Sequence, residues 1–287
     1  TSQYTLSLHD ALPIWKVDQI TLDSGTTDLS KYLTGWKKTS ESSSFWLTSI
    51  EHGRSFDKAK RLIRYPYGCV EQTTSSTRPL LFISQFIQSA DPAMLSRSKS
   101  IDAMVEHGVE RILSMQTPSG GIGYWPGDQD PHPWGTTYAA HMLMDAREQG
   151  YSVPKRRLEN ALDWLETYAD GDDANSKDFY THIGANGRAY MHYVLARSGR
   201  GNKAKVLKLI DNLPSTLDGK EQETAYLLKA ALFQMGDRRH EQDLKQPSVG
   251  SEMGGRETGG SFYSHPRRRA FVLNIFQELF DNASGGK

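Results

Sequence analysis

The chain has 287 residues, enough for one large single-core domain or two small ones, and its 34 Lys and Arg balance 34 Asp and Glu, so nothing points to a nucleic-acid partner. Six Trp, thirteen Tyr and ten Phe argue against disorder, and a single Cys rules out an internal disulfide framework or a Cys-rich metal site. No apolar run reaches the roughly 18–20 residues that cross a bilayer; the best, Leu80–Ile87, is interrupted by Ser84 and Gln85.

Taken in chain order, Thr1–Trp15 lacks the basic start and apolar centre of a signal peptide and reads as a foreign or mis-assembled leader. Residues 16–50 form a second segment. Val17–Leu22 ends in the apolar–polar alternation of a short strand, and Phe45–Ile50 is an aromatic-rich run fit for a strand or a helix entry. The Ser- and Lys-rich stretch from Lys37 to Ser44 separates them as a loop.

From about Phe56 helical spacing takes over, and residues 51–287 are assigned to an all-α domain. Ile101, Met104, Val105, Val109, Ile112 and Leu113 make one apolar helix face. Leu158, Ala161, Leu162 and Leu165 repeat it after Pro154, a helix starter, and Val206, Leu207, Ile210 and Leu213 do so until Pro214. Tyr226–Phe233 and Ala270–Phe280 are further candidates. A weak repeat overlies the pattern: helices headed by Tyr138, Tyr190 and Tyr226 each close at a glycine, Gly150, Gly199 and Gly236. Spacings of 52 and 36 residues between those tyrosines are too uneven for a solenoid of equal units and suit helical hairpins. An α/α toroid and an irregular bundle both satisfy that spacing.

The chemistry concentrates in Arg64-Tyr65-Pro66-Tyr67-Gly68-Cys69-Val70-Glu71-Gln72-Thr73-Thr74. Pro66 and Gly68 set a turn, and Cys69 then opens a helical run toward Leu80 and Phe82. A thiol at a helix start feels unpaired N–H groups and the positive end of the dipole, both favouring thiolate. Gln72 follows at i+3, where side chains come within about 5–6 Å. Sulfur attack on its carboxamide carbon with loss of ammonia would give an internal thioester, a stored acyl electrophile. The competing reading is a buried structural cysteine beside a surface glutamine, and spacing alone leaves both open.

The nine residues Tyr65–Thr73 resemble the thioester motif of the α2-macroglobulin and complement superfamily, in particular its bacterial branch, which reads YPYGC-x-EQ. A second tract, Gly120-Gly121-Ile122-Gly123-Tyr124-Trp125-Pro126-Gly127 with Thr136-Thr137-Tyr138-Ala139-Ala140-His141, is similar to GGFGYWPG…TAYAAHFL of the same domain, Ile122 replacing Phe. The resemblance runs from about Phe45 to Phe280. It implies an α/α toroid inserted in a small CUB-type β domain, of which the strand-like region before Ile50 would be the lead-in. It further implies a protease trap rather than a turnover enzyme: a bait region is cut, the thioester is exposed, and it acylates a lysine of the attacking protease.

The resemblance also implies a periplasmic, lipoprotein-anchored parent, with the remaining domains of that parent as partners. By carry-over Cys69 and Gln72 form the bond, and Tyr65, with Tyr67 beside it, shields it from water. An acyl-accepting histidine, used by some complement-like members, falls by order on His182. No cofactor is called for, and no metal-ligand spacing connects any of the nine His. Tyr124 and Trp125 are expected to fill the core or brace a loop, His132 to be an exposed loop residue, and His141 and His192 to be packed and satisfied.

Two rivals remain. Asp170-Gly171-Asp172-Asp173 has the letters of the terpene-cyclase acid, but it sits in a polar, Gly-containing stretch rather than a dry aromatic cavity. A helical binding scaffold with no working thioester is the other.

Overall fold

The computed structural model describes residues 26–32, 62–63, 65–83, 98–170, 183–247 and 264–280. The chain divides into two units, Thr1–Gly53 and Arg54–Lys287. In the first, Ser30–Tyr32 forms a single 3-10 turn. Asp28 holds it, its carboxylate accepting from the Ser30 backbone N–H at 2.8 Å and the Ser30 hydroxyl at 3.0 Å. The two strand candidates, Val17–Leu22 and Phe45–Ile50, lie outside the described residues, as does the leader.

The second unit is helical: α1 (Val70–Thr77), α2 (Ser98–Ser114), α3 (Pro133–Glu148), α4 (Lys155–Asp170), α5 (Gly184–Arg197), α6 (Lys203–Asp211), α7 (Gly219–Gln234), α8 (Glu241–Lys245) and α9 (His265–Phe280). Among the described residues the only β pairing is one isolated antiparallel bridge, Gln116 to Ile122. The helix expected from Cys69 to Phe82 is cut in two. Pro79 offers no N–H, so α1 ends with Arg78 as its cap, and helical backbone resumes at Leu80.

Helices α1, α3, α5, α7 and α9 pack in succession, with α2 laid against α1 and α3, α4 against α3 and α5, and α6 against α5 and α7. Composition explains which helices lie inside. Helices α3, α5 and α7 carry small, aliphatic and aromatic residues on most of their faces and are buried along most of their length; a helix with apolar residues on most faces must be covered on most faces. The outer α4 and α6 keep one apolar stripe each, through Leu158 and Leu165 and through Val206.

The tyrosine–glycine repeat is a repeat of helix endings. Gly150, Gly199 and Gly236 have φ of 89°, 82° and 82°, the left-handed region that glycine enters without cost. The residue after each donates its N–H back to a carbonyl of the last turn: Tyr151 to Ala146, Arg200 to Leu195 and Asp237 to Leu232, at 2.8 to 2.9 Å.

The far end of α1 is anchored in a buried ionic cluster. Arg78 donates to Asp145 at 2.7 Å and to Glu278 at 2.9 Å, so α1, α3 and α9 share one set of charges. Arg197 of α5 reaches Asp145 at 2.6 Å, and Tyr193 donates to Glu278 at 2.6 Å. His141 lies between Tyr190 at 2.8 Å and Glu278 at 3.2 Å. Burial, then the Arg78 charge, pushes the imidazole below its usual range, so it is neutral. Burial by itself would raise both carboxyls. For Glu278 the hydrogen bond with His141 and the Arg78 and Arg197 charges outweigh it, and for Asp145 the Arg78 and Arg197 charges do, so both stay ionised. His141, Asp145 and Glu278 place metal-ligating atoms within 4.8 Å of one another, yet the two guanidinium groups already supply the cations.

Candidate functional site

The thioester-like tract is built on the N-terminus of α1. Cys69 is its N-cap residue, with extended backbone (φ −74°, ψ 177°), and is 3% exposed. Its N–H, one of the donors a helix start leaves unpaired, donates to Gln72 Oε1 at 3.2 Å, so Cys69 and Gln72 form a capping box across the first turn. The two residues picked out by spacing are therefore brought together: the sulfur is buried, and the Gln72 side chain is exposed to whatever approaches.

Gly68 makes that fold-back possible. Its φ is +102°, and a Cβ there would sit 2.1 Å from Gln72 Oε1 and 3.0 Å from its carboxamide carbon. The carboxamide occupies the space a side chain would take. From α2, Arg111 holds the turn: its Nη2 donates to the Gly68 carbonyl at 2.7 Å and its Nε at 3.2 Å. Sequence reasoning missed Arg111, since nothing in a helix pattern says which carbonyl a surface arginine will find.

The second tract meets the first here. Its loop is laced to the helices on either side: Gly123 N–H donates to Met115, His132 N–H to Ile122, and Ile122 N–H to the Thr136 hydroxyl, at 2.8 to 2.9 Å. That lacing delivers the Tyr124 carbonyl to the Val70 N–H at 3.0 Å, satisfying another open donor of α1. Close approach of α3 depends on Gly135, where a Cβ would lie 2.7 Å from Val70 Cγ1. Burial holds the Tyr124 phenol well above its ordinary range. Tyr124 packs, partly buried, against the core and braces its loop on α1 through its carbonyl, whereas Trp125 is half exposed.

Tyr65 and Tyr67 flank the turn at 53% and 71% exposure. The Tyr65 hydroxyl is 2.8 Å from His107 Nε2, the two rings lying 4.6 Å apart. His132 departs from its expected place in an exposed loop. It is half-buried and caps α3, its Nδ1 accepting from the Gly135 N–H at 3.0 Å, and burial pushes its pKa down to about 4 against the opposing pull of Asp128. His141 and His192 are buried as expected, His141 within the ionic cluster. His182 lies outside the described residues, as do Gly171, Asp172 and Asp173 of the cyclase-like tract.

Chemically, the arrangement offers a buried sulfur, an exposed glutamine side chain one turn on, and a backbone N–H on its carboxamide oxygen. Comparison with known proteins gives the family. The family model described as the A-macroglobulin TED domain matches residues 42–182. Alpha-2-macroglobulin of Escherichia coli K12 is 29% identical over 224 residues, covering 76% of this chain and 13% of that protein. That of Xylella fastidiosa Temecula1 is 30% identical over 231 residues, 75% of this chain and again 13% of the relative. The chain belongs to the A-macroglobulin TED domain family.

Solved structures agree on the fold of this TED domain. Salmonella alpha-2-macroglobulin reacted with methylamine superposes with a TM-score of 0.62 at 28% identity, covering 78% of this chain and 15% of that one. Native E. coli alpha-2-macroglobulin from domain MG7 to the C-terminus gives 0.61 at 27% identity, covering 78% and 35%. The relatives are bacterial and multidomain, and the TED chain described here spans about an eighth of their length.

Proposed function

We propose that this chain is the acyl-donor domain of a bacterial alpha-2-macroglobulin-type protease inhibitor, carrying a thioester between Cys69 and Gln72. The observation that carries the reading is the capping box itself: the Gln72 carboxamide is folded back over Gly68 and hydrogen-bonded to the Cys69 N–H, so sulfur and acyl carbon share one turn. In the closing step the Cys69 sulfur adds to Gln72 Cδ and ammonia leaves. In the opening step a lysine amine of the trapped protease adds to the same carbon, the C–S bond breaks, and sulfur departs to take up a proton.

Each molecule acts once, so the domain is an inhibitor and not a turnover enzyme. The inner and outer succession of helices, with Glu278 of α9 bonded back to Arg78 at the end of α1, supports an α/α toroid. The preceding segment is assigned to a CUB-like lead-in. Because Gln72 is exposed in this chain, exclusion of water before activation falls to Tyr65, to Tyr67 and to the remaining domains of the parent polypeptide. A periplasmic parent, lipoprotein-anchored, follows from the same reading, with His182 reserved as an acyl-transfer modulator.

Intact mass tests this. Ring closure removes ammonia, about 17 Da, and methylamine should then add to residue 72 and free the Cys69 thiol. Freshly purified protein that shows neither change overturns the reading. Replacing Tyr65 with Gly should hasten spontaneous loss of the thioester, and an unchanged half-life would remove Tyr65 from the shield.

A further inference from the structure

The peptide bond between Gly68 and Cys69 is engaged at both ends. On its carbonyl side, Arg111 donates twice, from Nη2 at 2.7 Å and Nε at 3.2 Å. On its amide side, the Cys69 N–H points at Gln72 Oε1, 3.2 Å away. In a trans peptide the C=O and N–H point in opposite directions across one rigid plane. Fixing the oxygen therefore fixes where the N–H aims, and a cation on the oxygen draws charge toward it and makes the N–H a stronger donor. Gly68 at φ +102° is the hinge that would let the plane rotate were it not held.

We infer that the Cys69 N–H is the oxyanion donor for acyl transfer at Gln72 and that Arg111, through the Gly68 carbonyl, is the residue that aims it. This rests on the thioester reading and extends it to the transition state. When the amine nitrogen adds to the Gln72 acyl carbon, the carbonyl π pair moves onto Oε1. The resulting tetrahedral oxyanion is met by an N–H already directed at that oxygen, and the contact shortens from 3.2 Å as charge develops. Collapse then restores the C=O, breaks the C–S bond and releases Cys69 sulfur, while the nitrogen sheds its proton, leaving a secondary amide on residue 72. Closing the thioester passes through the same oxyanion, so Arg111 serves both directions. Arg111 touches no reacting atom; it is a positioning residue.

The test is the second-order rate of methylamine incorporation, read by mass, in wild type and in Arg111→Met and Arg111→Lys proteins. Arg111→Met, similar in length but without donors, should react about tenfold or more slowly and accumulate less of the ammonia-loss species, with guanidinium ion partly restoring the rate. Arg111→Lys, one ammonium in place of a two-pronged guanidinium, should fall between. Infrared spectra of protein labelled with carbon-13 at the glutamine carboxamide give a readout that packing alone does not move: the thioester carbonyl stretch should rise in frequency as its hydrogen bond weakens. A folded Arg111→Met protein with wild-type rate and an unmoved carbonyl band overturns the inference. Should that variant fail to fold, an Arg111→Lys protein indistinguishable from wild type in both measurements does the same. Failure of the underlying reading looks different, because wild type itself then neither loses ammonia nor takes up methylamine.

Discussion

The two ends of α1 solve opposite problems with the same helix. At its start, Cys69 and Gln72 sit on a glycine-hinged turn, one residue buried and its partner exposed, the turn held by a few hydrogen bonds to Arg111 and Tyr124. At its end, Arg78 is locked among Asp145, Glu278 and His141, every charge paired and almost no surface open to water. Reactivity needs a group whose partner can be replaced, and anchoring needs groups whose partners cannot. A helix only eight residues long places the reactive turn a fixed distance from the anchor, so the ionic cluster acts as the rigid footing of the acyl site.

If that division holds, the largest losses of stability come from the anchored end. Arg78→Met removes the cation facing two buried carboxylates and should cost about 3–5 kcal/mol in denaturant unfolding. A cost near that of a surface ion pair, about 1 kcal/mol or less, would show that the cluster is not the footing.

The same end should govern acid sensitivity. His141 is neutral in the fold with its pKa depressed below 6.5, so the unfolded chain takes up that proton first and stability falls as pH drops through 6.5. Glu278 and Asp145 are also depressed, below 4.5 and 3.8, so their contribution is present above those values and lost as pH falls further. Melting temperature should therefore decline in two stages between about pH 8 and pH 3. Glu278→Gln should flatten the lower stage. His132, down to about 4 by burial, adds to the upper stage from the α3 cap.

At the reactive end, Gly68→Ala forces a residue with a Cβ into φ +102° and drives that Cβ against the Gln72 carboxamide. It should cost about 1–3 kcal/mol and, more tellingly, displace Gln72 so that the ammonia-loss species disappears. An alanine variant that still closes the ring would mean the fold-back over Gly68 is not the geometry of closure.

The two ends were unequally legible in the sequence. Cys69 and Gln72 could be read because their coupling is local: a turn, a helix start and an i+3 spacing are facts about neighbours. Most of the helices could be read for the same reason, and Gly150, Gly199 and Gly236 marked three endings that the structure repeats. The cluster joining Arg78, Asp145, Arg197 and Glu278 spans 200 residues of sequence between Arg78 and Glu278, and no periodicity announces such a partner. Arg111 was hidden likewise, since its partner is a carbonyl on another element, and so was the bond from the Val70 N–H to the Tyr124 carbonyl. His132 was misplaced because flanking prolines signal a loop equally well when the residue between them caps the next helix. Pro79 was a local signal that went unused, and it divides the helix where Arg78 turns inward.

The smallest effect on stability, and the sharpest on chemistry, belongs to Cys69→Ala. The N-cap bond to Gln72 uses the backbone N–H, which alanine keeps, and the loss is one buried sulfur, on the order of 1 kcal/mol. Circular dichroism and the two-stage pH profile should be preserved, because neither the helices nor the groups that titrate depend on the Cys69 sulfur. Methylamine incorporation should vanish altogether. Were incorporation to persist in the alanine protein, the acyl donor would lie elsewhere; were the pH profile to collapse with it, the two ends would not be separable, and the footing and the reactive turn would be one cooperative unit.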